Sequence, residues 1–270
     1  LIYFIPTPIG NLKDISLHAL DILRECEIVL CEDTRVTKSL FTLLNDRFNA
    51  NIDISSFIPF HTHNCFDFLD KVTLDFFSKN IAYVSDAGMP CISDPGVELV
   101  RYALKNNINY EVLSGSNASI LAIVASGILE KEFIFLGFLP NNGSERKLAI
   151  QNAMHLPYPV VLYESPKRIL ELIQNLSNID PEREIFVIKE ATKKFETKIK
   201  DSSINLVEKL KNINLNGEWS VVIDKSKNVP SQSITVDDIY SLDIPPKNKA
   251  KLISKITGED VKKIYNNIIK

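Results

Sequence analysis

Ser85-Asp86-Ala87-Gly88-Met89-Pro90-Cys91-Ile92-Ser93-Asp94-Pro95-Gly96 follows the apolar run Ile81-Ala82-Tyr83-Val84 and precedes Val97-Glu98-Leu99-Val100-Arg101-Tyr102-Ala103-Leu104-Lys105. The first run is short, β-branched and uninterrupted, as a strand buried on both faces must be. The last carries apolar residues at helical spacing. Between them, glycine, proline, serine and aspartate make a loop at the carboxyl end of the strand. Strand, polar loop and helix together are the building unit of an α/β sheet.

Outward from this unit the same alternation recurs. Strands are predicted over 2–5, 28–31, 81–85 and 110–113, with helices over 16–26, 35–44, 66–78 and 96–106, so a mainly parallel sheet with helices on its faces is expected. The pattern changes at Phe133-Ile134-Phe135-Leu136-Gly137-Phe138-Leu139-Pro140, a strand followed by turn residues. A second set then runs helix 144–154, strand 159–163, helix 166–176, strand 184–189, helix 204–211 and strand 219–223. Residues 225–232 lose the apolar rhythm and read as a linker, and two short helices are predicted over 246–256 and 259–269, separated by Thr257-Gly258. The expected organisation is an α/β domain over 1–130, a second α/β domain over 131–225 and a small helical tail over 233–270.

Composition narrows the class without choosing a function. The chain has 270 residues, 45% hydrophobic and 24% charged, which is ordinary for a globular protein and argues against disorder. The net charge of −3 means that any surface for nucleic acid must be local. Cys26, Cys31, Cys65 and Cys91 form no C-x-x-C pair, and no signal peptide is read, so reduced thiols in a cytoplasm are expected. The most apolar stretch, 120–139, is broken by Glu130, Lys131 and Glu132 and does not suit a bilayer.

Candidate chemistry gathers in loops after the predicted strands, where open α/β sheets bind ligands. These are Thr7-Pro8-Ile9-Gly10-Asn11, Glu32-Asp33-Thr34-Arg35, His61-Thr62-His63-Asn64, the 85–96 loop and Ser114-Gly115-Ser116-Asn117-Ala118. Singly, each is an ordinary turn, and Asp33 and Asp94 fit equally as helix N-caps. No G-x-G-x-x-G, P-loop or G-x-S-x-G pattern is present, so dinucleotide binding, nucleotide hydrolysis and serine hydrolysis recede. His61, His63 and Cys65 alternate as one face of a strand could carry a metal, but a hydrogen-bonding turn is the better reading, and no metal is expected.

As a set, these loops, together with Tyr163-Glu164-Ser165-Pro166-Lys167-Arg168-Ile169 and Lys189-Glu190-Ala191-Thr192-Lys193, resemble the tetrapyrrole methylase superfamily. Within it they are most similar to the enzymes that methylate a cytidine 2′-hydroxyl of small-subunit ribosomal RNA. The resemblance spans essentially the whole chain. It departs from the family pattern at Ser114-Gly115-Ser116-Asn117-Ala118, where Pro-Gly-Pro-Ser-Ala is usual, at Cys65, where an acid is frequent, and at Ala191, where leucine is common.

The resemblance implies S-adenosylmethionine bound in a cleft between the two α/β domains. Motif by motif it places the cofactor against Ile9, Ala87, Gly88, Met89, Ile92, Asn117, Ala118, Glu164 and Ala191, with Asp86 close by as a charge near the sulfonium. A base for the ribose hydroxyl is sought among Asp33, His61 and His63, with two alternatives open: the histidines as phosphate contacts, and Glu32 or Asp33 as the structural partner of Arg35. Arg35, Lys38, Asn64, Lys167 and Arg168 are the expected RNA contacts, and small-subunit ribosomal RNA or a ribosomal particle is the expected partner of a homodimer with no membrane association. The tail, with Lys247, Lys249, Lys251, Lys255, Lys262, Lys263 and Lys270 around a seam of Leu252, Ile253, Ile256, Val261, Ile264, Tyr265 and Ile268, is expected to dock RNA. A related enzyme acting on a small tetrapyrrole-like molecule and a non-catalytic RNA-binding assembly factor are the competing readings.

Overall fold

The computed structural model describes residues 1–227 and 235–269. Part of the predicted linker, residues 228–232, lies outside the described residues, as does Lys270. Contacts divide the chain into Leu1–Lys227 and Asn228–Lys270.

In the larger unit the first strands and helices alternate: β1 (Ile2–Phe4), α1 (Leu17–Glu25), β2 (Ile28–Cys31), α2 (Thr34–Phe48), β3 (Ser56–Pro59), α3 (Cys65–Lys71), β4 (Ile81–Val84), α4 (Gly96–Lys105) and β5 (Tyr110–Val112). They build a wholly parallel sheet in the order β3-β2-β4-β1-β5. Alternate residues of each central strand face opposite cores, as the two-residue period of a strand requires. Tyr3, Val29, Ala82 and Val84 meet α1 and α2 on one face, while Ile2, Phe4, Leu30, Ile81 and Tyr83 meet α3 and α4 on the other. The helices that follow β2 and β4, two neighbouring strands, therefore leave on opposite faces. Their loops diverge, and a crevice opens at the carboxyl edge of the sheet.

α5 (Ala118–Ser126) then leads to a second sheet of β6 (Ile134–Phe138), β7 (Val160–Glu164), β8 (Glu184–Lys189), β9 (Thr197–Ser202) and β10 (Trp219–Ile223), with α6 (Gly143–His155), α7 (Ile169–Ile179) and α8 (Ser203–Lys211) between them. Its order is β6-β7-β10-β8-β9, and only β6 and β7 run parallel. α6, α7 and α8 cover one face through Met154, Leu172, Leu176 and Leu206. α5 covers the other, packing Ala122 and Ile123 on Val161, Phe186 and Val222.

Several predicted elements differ from the observed ones. Residues 66–78 are not one helix: α3 ends at Lys71, Val72 and Thr73 are extended, and a 3-10 turn occupies Leu74–Ser78. Two adjacent β-branched residues disfavour helix there. Residues 61–65 are a turn entering α3 and not a strand, so His61, His63 and Cys65 do not share a strand face, and Cys65 is buried. β9 was not expected, because its alternating charges hide the strand; it is the sheet edge, where charge is tolerated. α2 runs on to Phe48 and stops where Asn49 turns left-handed at φ 50°.

The smaller unit holds α9 (Val236–Ser241), which was not expected, α10 (Pro246–Thr257) and α11 (Val261–Ile268). Ile239, Ala250, Ile253 and Ile264 form its core, with Val261, Tyr265 and Ile268 packed against it. The anticipated seam is corrected at two places: Leu252 and Ile256 stay exposed, and Ile239 and Ala250 take the buried positions. Gly258 ends α10 at φ 75°, a conformation that favours glycine.

Candidate active site

The 85–96 loop is tied to the loop after β1. Thr7 and Gly88 exchange backbone hydrogen bonds of 3.0 Å in both directions, and the Thr7 hydroxyl donates to the Ser85 carbonyl at 3.2 Å. Gly88 has φ 85°, and a Cβ there would stand 3.0 Å from Ile9 Cγ2, so both conformation and space call for glycine. Cys91 and Ser93 hold positive φ of 69° and 88° without being glycine. Such strain persists where the surroundings over-determine the backbone, and it gathers at sites that bind or react. Asp94 anchors the far end of the loop, accepting from the Tyr83 hydroxyl at 2.7 Å and the Gly96 N–H at 2.8 Å.

The loop after β1 also meets the second sheet. A Cβ on Gly10 would come within 2.5 Å of Lys193 Cγ and 2.7 Å of Thr192 Oγ1, and the Asn11 N–H donates to Thr192 Oγ1 at 3.1 Å. Glu190 and Thr192 in the facing loop have φ of 52° and 64°. Gly10 is therefore a close-approach glycine that lets the two loops touch.

Between these walls lies a cavity of about 420 Å³, within the range of roughly 300–1,000 Å³ typical of small-molecule sites. Ile9, Asp86, Ala87, Gly88, Met89, Ile92, Asn117, Ala118 and Glu164 line it, whereas Ala191 packs beside α5 and does not. Asn117 caps α5, its Oδ1 accepting from the N–H groups of Ser119 at 2.9 Å and Ile120 at 3.1 Å. Glu32, Asp94, Tyr163 and Ser165, present in the motif loops but not expected at the cofactor, also line the cavity, as do Phe138 and Trp219, which the sequence did not single out. Phe138 and Trp219 belong to β6 and β10 and looked like plain strand residues. Only the meeting of the two sheets turns them toward the first-sheet loops.

The cavity is acidic. Glu32, Asp86, Asp94, Glu164 and Glu218 line it, and no Lys, Arg or His does among the described residues. Partial desolvation raises the Glu32 and Asp86 carboxyls above their ordinary values, with neighbouring acids adding to the effect, although Asp86 keeps solvent access. The two are linked through the backbone: the Asp86 N–H donates to Glu32 Oε1 at 3.2 Å, and the Asp33 N–H donates to Asp86 Oδ1 at 3.1 Å. Glu164 is different, because its charge is already matched. Arg146 Nη2 donates to its Oε2 at 2.7 Å, while Arg168 Nε at 2.9 Å and the Ser165 N–H at 2.7 Å donate to Oε1. The Ser165 hydroxyl beside it is buried without a hydrogen-bond partner among the described residues.

Asp33, expected as a base, does structural work. It caps α2, and Arg35 grips both of its oxygens, Nε to Oδ1 at 3.1 Å and Nη2 to Oδ2 at 2.7 Å. The Arg35 side chain, aided by the Arg35 backbone N–H, holds the Asp33 carboxyl down at about 2. His61 and His63 do not line the cavity; their rings lie 6.0 Å apart beside the turn. Asn64 builds that turn, accepting from the His61 N–H at 2.8 Å and donating to the Pro59 carbonyl at 2.8 Å. Lys38 extends over the Phe57 ring at 5.2 Å, and Lys167 is exposed.

Residues 1–205 match the family described as Tetrapyrrole (Corrin/Porphyrin) Methylases. The chain is 62% identical to ribosomal RNA small subunit methyltransferase I of Campylobacter fetus across 100% of both chains. It is 42% identical to the Helicobacter pylori protein of the same name over 98% of this chain and 96% of the other. Among solved structures it resembles a Thermus thermophilus uroporphyrin-III C-methyltransferase complexed with S-adenyl homocysteine, at TM-score 0.56 and 16% identity over 82% of this chain and 96% of that one. A cobalt precorrin-4 methyltransferase aligns at TM-score 0.57 and 15% identity, covering 83% and 94%. The paired sheets, the glycine-dependent loops and full-length likeness to such relatives agree: the chain belongs to the tetrapyrrole (corrin/porphyrin) methylases, within the ribosomal RNA small subunit methyltransferase I family.

Proposed function

We propose that this chain transfers a methyl group from S-adenosylmethionine to a cytidine ribose 2′-hydroxyl of small-subunit ribosomal RNA. The acidic cavity carries this reading. Glu32 is half-buried and Asp86 stands at the open side of the cavity, neither with a cation beside it in the lining, and a sulfonium would supply the missing positive charge. The unpartnered Ser165 hydroxyl and the apolar Ile9, Met89 and Ile92 suit a ligand with both polar and apolar parts. The relatives' names point to ribosomal RNA. The Thermus thermophilus structural neighbour is complexed with S-adenyl homocysteine, the spent form of the same donor.

When bound, S-adenosylmethionine supplies an electrophilic methyl group. The chain's own part is chiefly alignment: the strained 85–96 loop, fixed by Thr7 and Asp94, holds one wall, and the Arg146–Glu164–Arg168 cluster holds the other. Asp33 keeps Arg35 ordered at the edge for contact with RNA phosphate. Lys38, Lys167 and Arg168 are proposed to add to that contact, although Arg168 is also committed to Glu164. A ribosomal substrate implies a cytoplasmic protein, and the family resemblance a homodimer.

The purified chain, given labelled S-adenosylmethionine and unmethylated small-subunit particles, should produce 2′-O-methylcytidine, read by mass spectrometry of nucleosides. Label on a base, or on a macrocycle and never on RNA, would overturn the assignment.

A further inference from the structure

Beside the first cavity lies a second, shallow and largely open to solvent, of about 590 Å³, formed by Pro8, Asp33, Arg35, Val36, Leu40, Leu43 and Asp86, with Ser39 at its wall. Asp86 is common to both cavities. The wall from α2 is apolar but not covered: Val36 is 43% exposed and Leu43 is 38% exposed. At its edge the Arg35 guanidinium is fixed by Asp33 yet remains 89% exposed, with the donors of Nη1 directed to neither Asp33 oxygen. Aliphatic side chains that can meet the face of a base, next to an oriented guanidinium that can meet a phosphate, are the chemistry of a single-nucleotide pocket.

Resting on the proposed transfer to a ribose hydroxyl, we infer that this second cavity receives the acceptor nucleotide, unstacked from its RNA, and that Asp86 takes the proton from its 2′-hydroxyl. The position of Asp86 decides this. Asp86 is the residue common to the linings of both cavities, so a nucleotide seated on α2 has this carboxylate on its side facing the first cavity. Asp33 has both oxygens engaged by Arg35, and neither histidine lines either cavity. Asp86 Oδ1 accepts from the Asp33 N–H, which orients the carboxylate, and no protein donor to Oδ2 is present among the described residues. In the step, the bond from O2′ to the methyl carbon forms as the sulfur–carbon bond breaks, the bonding pair stays on sulfur, and the hydroxyl proton passes to Asp86. The oxygen becomes strongly acidic as it gains its third bond, so a carboxylate is base enough.

Ser39→Trp and Asp86→Asn test this in the full chain, by calorimetric S-adenosylmethionine binding and by kcat and KM on small-subunit particles. Ser39 is exposed, so tryptophan can fill the second cavity without entering the core. Ser39→Trp should bind S-adenosylmethionine within about twofold of the parent while kcat/KM for particles falls by at least about tenfold. Asp86→Asn should lower kcat by about 10²–10⁴-fold with little change in KM for particles. Ser39→Trp that methylates like the parent, or that loses the cofactor, removes the nucleotide from this cavity. Asp86→Asn with unchanged kcat removes the proton transfer. A parent chain that binds S-adenosylmethionine but never labels RNA overturns the function itself, and the unaltered chain alone reveals it.

Discussion

Glu164 is a cavity residue whose carboxylate is fully engaged within the protein. Its side chain and that of Arg146 are 1% and 4% exposed, so each charge relies on the other in place of water. Removing one partner leaves an uncompensated buried charge, which costs about 3–5 kcal/mol. Glu164→Ala should therefore destabilise the larger unit by that amount, seen as a lower midpoint in denaturant unfolding at unchanged slope. A loss below about 1 kcal/mol would mean that water or a shifted Arg168 replaces the carboxylate. The sequence pointed to Glu164 as a cofactor contact through its motif but carried no sign of Arg146, which lies 18 residues away near the start of α6. Asp33 teaches the same lesson in reverse: its place before a helix and two residues from an arginine made the cap and ion pair legible, and these leave it unsuited to act as a base.

At the scale of elements, the small helical unit is the piece whose role can be separated from the rest. Lys247, Lys251, Lys255, Lys262 and Lys263 are exposed, while Lys249 is half-buried and donates to the Tyr240 carbonyl at 2.7 Å. Its core is formed by its own three helices. Deleting residues 235–270 should leave S-adenosylmethionine affinity unchanged, weaken binding to ribosomal particles and flatten its salt dependence, because each neutralised phosphate releases counterions. A truncated chain that binds particles like the full one across a salt series would reduce the tail to a charged cap. The strands at the centres of the sheets were legible because burial on both faces makes them continuous apolar runs. β9 and α9 were not: an edge strand carries charges and a six-residue helix has too short a period to read.

For the molecule as a whole, ligand binding and folding are linked, because the proposed S-adenosylmethionine site is built from both sheets and exists only when they are assembled. At a ligand concentration near 100 times Kd it should raise the stability of the larger unit by about 2.7 kcal/mol, with the same rise in the presence of EDTA. Among the described residues no group of three or more His, Cys, Asp or Glu side chains is arranged to hold a metal ion. A rise in the unfolding midpoint that chelation abolishes would restore a metal to the site. No helix of the described residues is long and apolar enough to cross a membrane.

The sequence by itself determined the alternation of strands and helices in the first sheet and most of the strand-end loops that line the cavity, the His61–Asn64 loop excepted. These are local properties: a two-residue or helical period, a left-handed turn, a cap. Only the tertiary structure decided which polar groups remain available. Phe138 and Trp219 reach the cavity because two sheets meet there, Asp86 lines two cavities at once, and Glu164 on β7 is neutralised by Arg146 from α6. Charge, burial and free lone pairs are set by neighbours distant in sequence, and one chain read in order does not contain their distances.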